Sequence, residues 1–99
     1  MIISEGEKLI REECKRIEEL LVTKNRKYGN AALEPIGVFC KLDSIDRINA
    51  RLDEKINRIK NRQDDEDEDP EDDLIGWLIL RRIAARKTKI KKYVTENPL

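Results

Sequence analysis

Ile45, Ile48, Leu52, Ile56 and Ile59 recur at intervals of three, four, four and three residues. That spacing gathers apolar side chains on one side of an α-helix, whereas in a strand it would scatter them over both faces. Ile10, Cys14, Ile17 and Leu21 repeat the pattern at four, three and four. A third segment, Leu74 to Leu80, is apolar on nearly every side and is interrupted only by Gly76. A helix apolar all round is buried on more than one face. These three signals in 99 residues predict an all-α domain. The expected architecture is a three-helix antiparallel bundle with a structured loop between its first two helices, completed by oligomerisation as a homodimer or higher oligomer.

Local signals set the expected boundaries. The first helix is predicted over about 4–24, opened by the capping box Ser4-x-x-Glu7 and closed before the turn signal Tyr28-Gly29-Asn30. The loop 25–42 holds Pro35 and Gly37, which prevent a long helix, and the short apolar patch Ile36, Val38, Phe39 and Cys40, expected to close one end of the core. So long an irregular segment is uncommon in a compact domain unless it has a task. The second helix is predicted over about 44–61 with Asp43 or Ser44 as its cap. Arg47, Arg51, Glu54 and Arg58 gather on its polar face, with Lys55 at the edge toward the core. An acidic connector, 62–69, leads into the third helix, about 70–92. Nine carboxylates and one proline fill the stretch from Asp64 to Asp73. Asp69 suits the N-cap, Pro70 the first helical position, and the following acids the positive end of the helix dipole. Beyond Arg81 the helix turns basic, which suits its C-terminal end.

Composition removes several classes of function. Charged residues make up 42% and aromatic residues 4%, a mix that would suggest disorder without the helical periodicity. Lys plus Arg equals Asp plus Glu at 21 each, which argues against a general nucleic-acid coat. No apolar run is long enough for a bilayer span, and the start lacks the basic flank and apolar stretch of a signal peptide. A cytoplasmic location is therefore expected. Cys14 and Cys40 have no CxxC spacing and read as small buried hydrophobes in a reducing compartment. Histidine is absent, which removes Ser-His and Cys-His nucleophile systems and His-ligated zinc. Any metal would be held by carboxylates, which select a hard ion such as Mg²⁺ or Mn²⁺.

Asp69 and Asp73 are four residues apart, and Glu54 is the acid of the polar face on the second helix. If the second and third helices pack antiparallel, these three carboxylates could converge on a metal, with Arg51, Lys55 and Arg58 near for phosphate oxygens. A metal that bridges phosphates and orients water is the usual equipment for cleaving a nucleoside triphosphate. From spacing alone, the plainer reading is favoured. Glu54, three residues from Arg51 and four from Arg58, would form surface ion pairs of about 0.3–0.5 kcal/mol.

Three stretches in order carry a family resemblance. They are 24–30 (KNRKYGN), 51–59 (RLDEKINRI) and 67–77 (DEDPEDDLIGW). Together they resemble the phage and prophage family called nucleotide modification associated domain 1, with its YGN turn, R-x-x-D-K-x-x-R helix and acidic third helix. More distantly they are similar to the MazG-like all-α nucleoside triphosphate pyrophosphatases. The resemblance implies phage-type nucleotide metabolism in a host cytoplasm, with a nucleotide or polyphosphate as ligand and Mg²⁺ as cofactor. It places Tyr28 and Asn30 in a nucleotide loop. It makes Arg51, Lys55 and Arg58 phosphate partners, and Glu54, Asp69 and Asp73 the catalytic metal ligands. Glu54 stands where the family has Asp, and Trp77 where it has Tyr. Arg47, Arg51 and Arg58 occupy a helix that carries acids in the pyrophosphatases, so this face suits holding phosphate better than breaking it. Two functional readings stay open beside that of a structural helical module without chemistry. One is a Mg²⁺-dependent nucleotide-binding pyrophosphohydrolase. The other is a non-enzymatic phage-encoded binder that sequesters a nucleotide or blocks a host protein through its acidic segment.

Overall fold

The computed structural model describes residues 2–61 and 69–96, with the side chains of all of these except 90–95. Three helices follow one another, α1 (Glu5–Lys27), α2 (Ser44–Lys60) and α3 (Pro70–Glu96), and no strand occurs among the described residues. The expected acidic connector lies, but for Asp69, outside the described residues.

Each helix begins where its cap chemistry says it should. Ser4 Oγ accepts from the Glu7 amide at 3.1 Å. The Glu7 carboxylate turns forward to Arg11 at 3.0 Å. Asp43 accepts from the Asp46 amide at 2.9 Å. Asp69 accepts from the amides of Glu71 and Asp72 at 2.9 and 3.3 Å. Each bond satisfies a backbone donor that a helix start leaves without an intrahelical partner. α1 runs three residues past its expected end, because the break falls at Gly29 and Asn30, both at positive φ (60° and 63°). Gly adopts that region freely and Asn more readily than other side chains. Asn30 then accepts at its carbonyl from Leu33 and Glu34, at 3.0 and 2.8 Å, and folds the chain into a tight turn.

α3 lies along α2, and α1 meets α3 over a shorter stretch. Ile48 and Leu52 of α2 pack with Leu80 and Ala84 of α3, with Leu21, Ala32, Leu33, Ile45, Leu74 and Trp77 partly buried around them. Gly76 lets α1 approach: a Cβ there would stand 3.3 Å from Leu21 Cδ1. The array is open. Its radius of gyration is 16.7 Å, against about 13 Å for a compact chain of this length.

That openness overturns three expectations. Of the α1 stripe, Ile17 is buried and Leu21 packs on the core, but Ile10 and Cys14 are exposed. Cys40 is exposed as well, so neither thiol is a core residue. Ile36, Val38 and Phe39 do not close the core. Phe39 is 98% exposed, because the loop after Pro35 runs out along the surface, held by Lys41 Nζ on the Gly37 carbonyl at 2.6 Å and by Arg47 on the carbonyls of Leu42 and Cys40.

Candidate functional site

The three helices meet at a buried carboxylate. Asp73, in the first turns of α3, is 8% exposed. Lys24 Nζ, from the last turn of α1, donates to its Oδ1 at 2.8 Å. Lys55 Nζ, from the middle of α2, stands 3.1 Å from its Oδ2, within ion-pair reach though without hydrogen-bond alignment. The two lysines, Lys55 buried and Lys24 partly exposed, deliver their charged ends to one point. Next to it, Arg16 grips Asp72 with both terminal nitrogens, at 2.9 and 2.8 Å. Such a bidentate pair fixes direction as well as distance.

The electrostatics follow from this packing. Burial pushes the Asp73 carboxyl up, but the two ammoniums outweigh burial and hold it below the ordinary carboxylate value. The Arg16 hydrogen bonds hold the Asp72 carboxyl below that value too. Both acids are anions in the folded chain at neutral pH.

The residues singled out by the sequence fall into two groups. Lys55 and Asp73 are together at the junction. The others serve elsewhere. Asp69 caps α3. Glu54 is exposed and accepts from Arg51 at 3.1 Å, the surface pair that spacing favoured. Arg58, one turn beyond Lys55, is half-buried. Tyr28 is exposed, with the Lys27 ammonium 5.6 Å from its ring centroid. Asn30 shapes the turn and accepts from Asn25 through its side chain. Among the described residues, no three acids or cysteines stand together as a ligand set for a metal. The carboxylates Glu54, Asp69 and Asp73 therefore do not form the expected Mg²⁺ triad there, and only Asp73 faces the junction.

Lys24, Arg16 and Asp72 were not among the candidate residues. Lys24 could have been noticed, since it falls one turn after Leu21 on the buried side of α1. Arg16 and Asp72 gave no signal, because they are 56 residues apart and only the docking of α1 on α3 joins them. No helix of the described residues is long and apolar enough to cross a membrane. Comparison with known proteins gave no matching family model, curated protein or solved structure.

Proposed function

We propose that this chain is a small nucleotide- or polyphosphate-binding protein of phage-type nucleotide metabolism, and that its binding site is the polar junction of α1, α2 and α3. One observation carries the reading. Each of the three stretches of the family resemblance sends one side chain to the same point, Lys24 from the first, Lys55 from the second and Asp73 from the third. For stability alone this is a poor use of a small core, since replacing buried ionic groups by apolar ones is often neutral or stabilising by about 1–4 kcal/mol. An anionic ligand would be met here by the ammoniums of Lys24 and Lys55 beside Asp73. Lys24, with its side chain 40% exposed, is the cation best placed to reach it. Arg51 and Arg58 flank Lys55 one turn before and one turn after, and extend the cationic surface along α2. Mg²⁺ and turnover are variables of the test, because the described carboxylates do not assemble a metal set.

The test is thermal unfolding with each nucleoside and deoxynucleoside triphosphate and with inorganic triphosphate, with and without Mg²⁺. A ligand that binds only the folded state at 100 times its Kd adds about 2.7 kcal/mol, and in a domain this small each kcal/mol raises Tm by about 4–8 °C. The rise should shrink in Lys24→Gln, compared with that variant's own ligand-free Tm and with far-ultraviolet circular dichroism confirming that it is folded. If no triphosphate raises Tm, the reading fails. Rapid metal-dependent pyrophosphate release, abolished by Glu54→Gln, would instead establish an enzyme. A second reading, a binder of a host protein, is favoured by the exposed apolar side chains of Ile36, Val38 and Phe39 on one loop. The acidic segment once expected to serve that role lies mostly outside the described residues.

A further inference from the structure

On the side of α3 facing away from Asp73, the residues Glu71, Ile75, Leu78, Ile79, Arg82 and Arg86 form one stripe, and all six are exposed. Their spacing of four, three, one, three and four keeps them within about 100° of the helix circumference. The stripe is ordered along its length: an acid, three apolar residues, then two arginines. Reversed, it becomes its own complement. In an antiparallel pair centred between Leu78 and Ile79, Glu71 stands opposite Arg86, Ile75 opposite Arg82, and Leu78 opposite Ile79. The single acid then meets a base at each end, Leu78 and Ile79 meet across the two-fold axis, and Ile75 meets the aliphatic stem of Arg82.

We infer that α3 is the interface of a two-fold symmetric homodimer, in which two copies of this stripe pack antiparallel. The occupant is a second copy of this chain because Glu71 and Arg86 carry opposite charges at equal distances from the midpoint between Leu78 and Ile79. A parallel pairing would set Glu71 against Glu71 and Arg86 against Arg86. A two-fold contact uses the same patch on both subunits and must be self-complementary, as this one is. Opposed helix dipoles favour the same direction. The paired length from Glu71 to Arg86 is about 23 Å. The stem of Arg82 covers Ile75 of the opposite helix and leaves its guanidinium in water. The interface lies across α3 from Asp73, so it stands or falls independently of the ligand site.

Sedimentation equilibrium of the full chain tests this inference, with far-ultraviolet circular dichroism to confirm that each variant is folded. The wild type should be dimeric at micromolar concentration. Glu71→Arg and Arg86→Glu should each weaken the dimer by about tenfold or more, since each turns two symmetric attractions into repulsions. Combining the two swaps should restore it. Ile79→Glu should give a folded monomer. A folded wild-type monomer at micromolar concentration overturns the inference. So does a dimer whose dissociation constant ignores the single swaps or is not recovered by the double one.

Discussion

At the scale of single residues, the fold turns on Asp73. A buried carboxylate held by two lysines is poorly compensated when its charge is removed, because both ammoniums then remain beside a neutral group. Asp73→Asn should therefore cost about 2–4 kcal/mol in urea unfolding, discounted from the range for a fully buried pair because Lys24 keeps part of its side chain in water. Asp72→Asn, whose Arg16 partner is half-exposed, should cost about 0.5–1 kcal/mol. The pH dependence has a definite sign. Both carboxyls lie below their ordinary value of 3.8 in the folded chain, so their stabilisation is fully present above that value and is lost as pH falls through the lower folded-state values. Acid unfolding curves should thus steepen below about pH 4, and Asp73→Asn should flatten them; an unchanged slope in that variant would count against the lysine clasp. Lys55 was legible in the sequence as a cation on the core side of α2, and Asp73 as an acid of the first turn of α3. Their partnership was not, because no local pattern reports which helix ends meet.

At the scale of elements, local chemistry carried most of the information. The caps at Ser4, Asp43 and Asp69 and the turn at Gly29 and Asn30 were readable because each depends on residues within four positions of one another. Where α1 lands was not readable, because it depends on Gly76 leaving room for Leu21. Gly in a helix interior costs about 1 kcal/mol relative to Ala, and an added methyl would meet only the flexible end of Leu21, at 3.3 Å. Gly76→Ala should therefore lie between neutral and about 1 kcal/mol more stable. Gly76→Leu should lever α1 off α3 and break the Lys24–Asp73 contact. Thermal melts of the two variants distinguish a close helix approach from an incidental glycine; equal stabilities would remove the steric role. The apolar loop residues misled for a related reason. Period and composition mark Phe39 as a core candidate, but Pro35 and the Arg47 bonds to the carbonyls of Leu42 and Cys40 direct the backbone along the surface.

At the scale of the molecule, the open shape divides the chain into parts of unequal stability. The buried hydrophobic residues of α2 and α3 lie in one cluster, whereas among the described residues α1 joins the rest from about Arg16 onward, through Arg16, Leu21 and Lys24. Its first half carries Leu9, Ile10 and Cys14 in solvent and rests on intrahelical bonds and the Glu7–Arg11 pair. A helical segment shorter than about 12–15 residues is marginal in water without tertiary packing, so this half should open without the rest of the fold. Native-state hydrogen exchange should show the amides from Leu9 to Cys14 exchanging by local opening, nearly independent of global stability. Amides around Ile48, Leu52, Leu80 and Ala84 should exchange only by global unfolding. Destabilising the junction with Asp73→Asn should speed the second group and leave the first unchanged. The proposed α3 pairing leaves that prediction standing, because it covers a different helix. Protection of Leu9 to Cys14 equal to that of the α2–α3 core would require this end of α1 to be covered in solution, and the open array could not then be the working form of the molecule.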